Sequence, residues 1–270
     1  MFKKIKCEHC KNMYDETFCE CPNCHAKNEK LDPNFKKLTM LSIPKQIAFF
    51  LVGLLGFEIL GLLISYILYI TGFVDNYVEL APMLLNTLVY VILFGTLFGI
   101  ANVDIKKLFS GFKKWQPYVA GLCCFFAIIL LGMFYSIILD LIDVEIVGNT
   151  NQESIDSTAL SFPLTSIIIF GFIGPICEEL TYRVGLFSFL KRISKWVAYP
   201  VTIIVFTLIH FDFGAETMAN ELLNLPYYIF AAFLLTFTYD KFGFAGSATA
   251  HVLNNVISLI PMTVALGVFH

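Results

Sequence analysis

The sequence predicts an all-α polytopic membrane domain of about seven transmembrane helices behind a small cysteine-rich head. Of its 270 residues, 57% are hydrophobic and 14% are charged, whereas a soluble domain averages about 25% charged residues. Residues 1–46 carry nine Lys and six acidic residues, while the remaining 224 residues share nine basic and fifteen acidic ones. This composition excludes a disordered or nucleic-acid-coating chain and indicates a polar module followed by a membrane domain.

Three runs in the membrane domain each reach the length of about 20 apolar residues that a bilayer-spanning helix needs. These runs are Ile47–Ile70, Ala81–Ala101 and Tyr118–Leu139. After a polar stretch, Asp140–Ser161, come four less regular segments: Phe162–Phe189, Trp196–His210, Leu222–Tyr239 and Phe244–Phe269. Because Gly174-Pro175 interrupts the fourth segment and the fifth is short, the sequence leaves these boundaries open.

The basic residues indicate the orientation of the spans, because they stay on the cytoplasmic side of short loops. Seventeen of the eighteen Lys and Arg residues fall in the N-terminal tail and in alternate loops, and only Arg183 lies within a span. We therefore predict an integral membrane protein with a cytoplasmic N-terminus and an external C-terminus. The first span is expected to act as the insertion signal, since Met1–Lys11 has no apolar segment.

Two CxxC pairs stand in the head, separated by ten residues: Cys7 with Cys10, and Cys21 with Cys24. Such pairs can supply four thiolates to one tetrahedral zinc ion, and a cytoplasmic location disfavours disulfides. The pattern predicts a structural zinc site, with disulfides or free thiols as alternatives, and it resembles the small zinc ribbons found at the ends of many bacterial proteins. The side chains that we interpret as bystanders are His9, Cys19 and His25.

These patterns divide the chain into a zinc ribbon at residues 1–30, a linker at 31–46 and a transmembrane domain at 47–270. A module as small as the head needs a metal or a disulfide to fold, because its own core is too small. The head has no cluster of aromatic and basic residues that would favour nucleic acid. We expect it to contact a cytoplasmic protein partner.

Several ionisable and amide side chains lie within the predicted spans, where such groups are costly and commonly mark function. They are Glu58, Glu178, Glu179, Arg183, His210, His251, Asn254 and Asn255. We interpret the solitary Glu58 as a carboxyl that is protonated or hydrogen-bonded to a neighbouring helix. The others come from three helices, and each would cost roughly 3 kcal/mol if left unpaired in lipid. We therefore expect them to converge on one interior cavity.

Such a cavity favours hydrolysis of an amide bond within the membrane. A carboxylate can act as general base for a water molecule, while an imidazole and an amide can stabilise a developing oxyanion. The sequence has no GxSxG motif and no serine placed with a histidine at an obvious nucleophile position. Direct attack by activated water is therefore favoured over a covalent intermediate.

Three motifs in these spans resemble those of the CPBP intramembrane proteases. Glu178, Glu179 and Arg183 match its EExxxR motif; Phe206 and His210 match FxxxH, and His251 and Asn255 match HxxxN. This family includes the type II CAAX prenyl proteases and the Abi group of bacterial proteins linked to bacteriocin processing or immunity. The resemblance covers roughly residues 162–265 and extends neither to the cysteine-rich head nor to the first three spans.

The resemblance implies a role for each matching residue. Glu178 would activate the water with help from His210, and His251 and Asn255 would stabilise the oxyanion. Glu179 and Arg183 would hold the geometry of the site, and Glu179 could share in catalysis. Family members are often called metalloproteases, and Glu and His can bind zinc, so the sequence leaves open whether catalysis uses a metal ion. The candidate residues already have roles without one.

The depths of these residues pose a geometric problem. At 1.5 Å per residue, Glu178 and His210 lie about 20 Å from the predicted cytoplasmic ends of their helices, but His251 lies only about 10 Å from its own. A tilted or broken fourth span at Gly174-Pro175, or a non-helical start to the last span at Phe242–Ser247, would bring them together.

Two other functions fit the same sequence. The protein could be a catalytically inactive family member that acts as a bacteriocin-immunity or membrane adaptor protein, or an ion-coupled transporter. The complete set of motif residues disfavours the first, and the absence of an obvious internal repeat disfavours the second. The composition resembles that of a low-GC bacterium, so for a protease in a bacterial plasma membrane we expect a leader or signalling peptide as substrate rather than a prenylated protein.

Overall fold

The computed structural model describes residues 4–15, 18, 20–28 and 41–265. They form a small two-stranded head and a bundle of long helices, which confirms the predicted fold class. Residues 31–40 of the predicted linker, Cys19 and residues 266–270 lie outside the described residues. The division of the chain into three domains stays a prediction.

The head consists of two short antiparallel strands, β1 (Lys4–Lys6) and β2 (Met13–Asp15), and two tight turns that contain the CxxC pairs. In each turn the residue after the second cysteine, Lys11 or His25, adopts a positive φ. The side chains buried together between the turns are Cys7, Tyr14 and Cys21. This arrangement fits a zinc ribbon.

Eight helices longer than five residues form the described part of the membrane domain. They are α1 (Ile43–Ile70), α2 (Leu80–Ala101), α3 (Trp115–Leu141), α4 (Thr150–Ser161), α5 (Pro163–Lys191), α6 (Lys195–Leu208), α7 (Met218–Phe242) and α8 (Phe244–Ala265). By length and composition, α1, α2, α3, α5 and α7 can cross a membrane. The other two predicted spans are also helical: α6 has 14 residues and α8 has 22. Helix α4 occupies the stretch that the sequence marked only as polar.

Helix α5 is the most buried of the five long apolar helices. Within its most apolar window 56% of the residues are buried, against 17–33% in the other four. A break at Gly174-Pro175 does not occur, because the helix runs continuously through this pair. Instead, α5 widens into π-helical turns at Ile167–Ile173 and Glu179–Phe187. The first of these turns ends at Ile173, immediately before Gly174-Pro175, and accommodates a proline, which has no N–H to donate.

Polar contacts join the helix ends that the sequence predicts to be cytoplasmic. Asp104, after α2, accepts hydrogen bonds from Lys45 of α1 at 2.5 Å and from Lys107 at 3.0 Å. Burial alone would raise the pKa of Asp104, but the hydrogen bonds from the two lysines outweigh it and hold this pKa below its ordinary value. Arg192, after α5, donates to Gln46 of α1 at 2.9 Å. The start of α1 and the ends of α2 and α5 therefore meet on one side of the bundle.

Helix α1 also approaches the second half of α5 closely. A Cβ atom at Gly185 would lie 2.7 Å from the backbone nitrogen of Phe50 and 3.0 Å from the carbonyl oxygen of Gln46. Small residues allow this kind of backbone approach between membrane helices. Because both obstacles are backbone atoms of α1, a larger residue at position 185 would force the helices apart.

Replacing Gly185 by Ala should therefore destabilise the membrane domain by about 1–3 kcal/mol, the usual cost of overpacking. The matched control is Gly61→Ala on α1, where an added Cβ meets nothing within 4 Å. The control should be neutral or slightly stabilising, since Ala is the better helix former. Thermal unfolding of the full chain in detergent compares the two variants, and equal midpoints would contradict the close packing of α1 on α5.

Candidate active site

The six site residues predicted in the membrane domain meet around a cavity of about 130 Å³ between α5, α6 and α8. Those that line it are Glu178, His210, His251 and Asn255. Glu179 and Arg183 lie next to this group and are 0% exposed. Side chains from three separate helices are thus brought into one small polar space.

Glu178 faces the cavity between two imidazole rings. Its Oε2 atom lies 3.7 Å from Nε2 of His251 and 4.0 Å from Nε2 of His210, which is beyond direct hydrogen-bonding distance. This oxygen is buried and has no hydrogen-bond partner among the described residues. The geometry fits a water molecule held jointly by the carboxylate and the rings.

The neighbouring Glu179 has a different environment. Its Oε1 atom accepts a hydrogen bond from Nδ1 of His251 at 2.9 Å and lies 3.1 Å from NH1 of Arg183. Removing two charges from water is costly, and their close pairing offsets part of that cost. The bond to Nδ1 also orients the His251 ring so that Nε2 points towards Glu178.

Phe206 packs at the centre of these side chains. The guanidinium carbon of Arg183 lies 4.2 Å from the centre of the Phe206 ring, in cation–π geometry. The same ring lies 4.8 Å from the His210 ring and 5.9 Å from the His251 ring. The sequence marked Phe206 only as part of a motif, and the structure gives it a packing role between the buried ion pair and both imidazoles.

His210 lies two residues beyond the end of α6. Its Nδ1 atom is 2.8 Å from the carbonyl oxygen of Phe206, which can only accept, so Nδ1 carries the proton in this arrangement. That leaves the lone pair of Nε2 directed towards Glu178 and the cavity. The ring of Tyr228 stacks on the His210 ring at 4.7 Å.

Asn255 also borders the cavity and is anchored through its amide. Its Nδ2 atom donates to the carbonyl oxygen of Phe170 at 3.1 Å. An amide group has two N–H donors, so one remains for another acceptor. The adjacent Asn254 lines the same cavity, and its Oδ1 atom is 3.4 Å from the hydroxyl oxygen of Tyr227.

The loop between α2 and α3 (residues 102–114) covers the start of α8, and this places His251 at the depth of the other site residues. A non-helical start at Phe242–Ser247 does not occur, since only Gly243 separates α7 from α8. Phe244, the first residue of α8, is buried against Phe109 and Phe112, with ring centres 5.4 and 6.0 Å apart. Because helical turns of the loop cover its start, α8 begins inside the protein rather than at the surface.

Other residues of the cavity carried no such signal in the sequence. Asn151 and Gln152 of α4 line it, although the sequence placed them in a polar connection. Glu221 does not line the cavity; it precedes the predicted span Leu222–Tyr239, lies in the first turn of α7 and is 2% exposed. None of the three belongs to a motif, and their places depend on how α4 and α7 pack.

Glu58 is less isolated than the sequence indicated. It lies on the exposed surface of α1 and lines a second cavity of about 90 Å³ together with Glu178 and His210. No hydrogen bond joins it to a neighbouring helix within the part of the chain that the structure describes. The polar site thus extends beyond the three helices that carry the motifs.

The four head cysteines predicted as metal ligands form one cluster: Cys7, Cys10, Cys21 and Cys24. Their sulfur atoms all lie within 4.8 Å of one another, with 3.6 Å between Cys7 and Cys24 and 3.5 Å between Cys10 and Cys21. Tetrahedral zinc with bonds of about 2.3 Å would place its sulfur atoms roughly 3.8 Å apart. The cluster therefore fits a metal ion, and neither His9 nor His25 belongs to it. Among the described residues no other group of three His, Cys, Asp or Glu side chains is as compact.

One segment of the membrane domain is similar to a known family. Residues 160–257 match the model of a family described as Type II CAAX prenyl endopeptidase Rce1-like. The matched segment contains all six predicted site residues of the membrane domain, which confirms the resemblance to the CPBP family that the three motifs indicated. The match supports intramembrane protease activity in general.

A curated relative extends the similarity beyond this segment. An uncharacterized protein of Mycoplasma capricolum subsp. capricolum is 24% identical over 201 residues, which cover 71% of this chain and 57% of that protein. The chain thus spans little more than half the length of this relative. No solved structure matches the chain.

Proposed function

We propose that this protein is an intramembrane endopeptidase that hydrolyses a peptide bond of a membrane-associated protein or peptide. The observation that carries the proposal is the buried Oε2 atom of Glu178, which has no hydrogen-bond partner among the described residues and faces two imidazole rings across a small cavity. A carboxylate in such a position is suited to activate water as a general base.

In the proposed reaction, Glu178 and Nε2 of His210 hold the water, and Glu178 removes its proton as the oxygen attacks the peptide carbonyl. His251 donates Nδ1–H to Glu179, so it must act as an imidazolium to donate from Nε2 as well. The carboxylates of Glu178 and Glu179 stabilise that positive charge. The imidazolium and the second N–H of Asn255 then stabilise the tetrahedral oxyanion, and the proton held by Glu178 passes to the leaving amine.

Comparison of membrane peptides from cells carrying the native protein and Glu178→Gln tests this proposal. The native protein should generate peptide termini that disappear in the variant, while the precursor proteins accumulate. Identical peptide sets from the two strains, with equal amounts of protein in the membrane, would instead favour the inactive adaptor function.

For the head, we propose that the four cysteines bind structural zinc. Purified full-length protein should contain about one zinc ion per chain, and Cys21→Ser should lose it, because three ligands do not complete a tetrahedral structural site. Cys123→Ser is the matched control, since this cysteine is exposed on α3. Elemental analysis measures both, and zinc retained in full by Cys21→Ser would show that the cluster is not the site.

A further inference from the structure

The carbonyl of His210 and the loop after it are held by two buried polar residues, Asn149 and Glu221. They are 1% and 2% exposed. Nδ2 of Asn149 donates to the carbonyl oxygen of His210 at 2.6 Å, and the backbone N–H of Asp212 donates to Oε2 of Glu221 at 3.0 Å. The two residues are joined at 3.4 Å through Nδ2 and Oε2.

This support matters because His210 lies outside a regular helix. Helix α6 ends at Leu208, and the N–H of His210 reaches back only to Thr207 at 3.2 Å. The N–H of Phe211 still donates to Leu208 at 3.2 Å, but among the described residues no backbone hydrogen bond holds the carbonyl of His210 or the N–H of Asp212. Asn149 and Glu221, which are distant in sequence from His210, provide those contacts instead.

Asn149 also contacts a residue that packs on the ring of His210. The hydroxyl of Tyr228 donates to Oδ1 of Asn149 at 3.1 Å, and the ring of Tyr228 stacks on His210 at 4.7 Å. The ring of Phe206 also lies 4.8 Å from that of His210, so two aromatic rings, those of Phe206 and Tyr228, contact the imidazole. Asn149 is thus bonded both to the backbone of His210 and to the residue that packs against its side chain.

Glu221 also attaches helix α4 to this assembly. Its Oε1 atom accepts hydrogen bonds from the backbone N–H and the hydroxyl of Thr150, both at 2.8 Å. Asn149 is the N-cap of α4, and its Oδ1 atom accepts from the N–H of Gln152 at 3.1 Å. A carboxylate is stabilised at a helix N-terminus, and α4 lines the catalytic cavity through residues of its first two turns.

We propose that Asn149 and Glu221 are positioning residues: they join α4 to the loop after α6 and hold Nε2 of His210 in the orientation needed to bind the attacking water. This inference rests on the proposed endopeptidase function. Neither residue touches the reacting atoms in this proposal, so both act through His210. Displacing a reacting group by about 1 Å can cost about 100-fold in rate.

The test uses the purified full chain in liposomes and a fluorogenic peptide carrying a cleavage sequence found by the membrane-peptide comparison. Glu221→Ala and Asn149→Ala should each lower kcat about 100-fold and leave KM within about twofold. Glu216→Ala is the charge control, because Glu216 is an exposed acid between α6 and α7, and it should retain native kinetics. Gly185→Ala is the stability control, since it weakens packing away from this network and should retain the kcat of the folded fraction.

The outcomes separate the positioning role of Asn149 and Glu221 from the proposed endopeptidase function. An unchanged kcat per folded molecule in Glu221→Ala and Asn149→Ala would overturn the positioning role, as would a change confined to KM. Equal cleavage by the native protein and Glu178→Gln would show that Glu178 is not the general base, and no cleavage of the peptide by the native protein would overturn the endopeptidase function itself. Loss of activity in Glu178→Gln together with full activity in Glu221→Ala would reject the positioning role alone.

Discussion

Glu178→Gln should abolish peptide cleavage by the purified protein. The glutamine has nearly the same shape and can still form hydrogen bonds, but its amide cannot accept a proton from water at neutral pH. Loss of a general base typically costs about 10²–10⁴-fold in rate. We expect kcat to fall by at least this factor while KM changes little, because the peptide can still enter the cavity. Cleavage of a fluorogenic peptide in liposomes measures both constants.

The control for this experiment is a carboxylate outside the cavity. Asp140 is exposed near the end of α3, and Asp140→Asn should cleave at the native rate. Thermal unfolding of both variants in detergent establishes that they are folded. A Glu178→Gln protein that keeps more than about a tenth of the native kcat would rule out Glu178 as the general base.

Arg183→Ala should cause the largest loss of stability among single substitutions at the site. The guanidinium is 0% exposed, lies 3.1 Å from Glu179 and packs over the ring of Phe206. Its removal leaves the carboxylate of Glu179 buried without its cationic partner, a change that typically costs 3–5 kcal/mol. We expect a much lower thermal midpoint and a smaller yield of monodisperse protein in detergent.

A double variant separates the effect of charge from that of packing. Glu179→Gln combined with Arg183→Met removes both charges and keeps most of the buried volume, so much of the stability should return. Activity should stay low, because the carboxylate that orients His251 is then missing. A native thermal midpoint for Arg183→Ala would show that the ion pair does not stabilise the fold.

The motifs and the spans could be predicted because they depend on local properties of the sequence. An apolar run of sufficient length must become a helix in lipid, where every backbone polar group needs a partner. Glu179 and Arg183 are four residues apart, and their pairing follows from helical spacing. The cysteine pairs were readable for the same reason, since two residues between the cysteines place both thiols in one tight turn.

Other features depend on contacts between distant segments. The continuity of α5 through Gly174-Pro175 requires a π-helical turn, and the depth of His251 depends on Phe109 and Phe112 covering the start of α8. The apolar residues concerned look like any others in a chain that contains 28 Phe. No local pattern distinguishes a ring that covers a helix end from one that faces lipid.

The sequence alone therefore determined the class of fold, the long apolar helices and the residues whose chemistry suits hydrolysis, because hydropathy, spacing and charge are read along the chain. Only the tertiary structure decided what holds those residues in place. Asn149 and Glu221 meet across 72 positions of the sequence, and Phe206 joins an ion pair on α5 to an imidazole on α8. Contacts of this kind form only when the helices pack, because each residue's hydrogen-bond or packing partner lies on a distant segment. The sequence around a residue does not specify which segment that is.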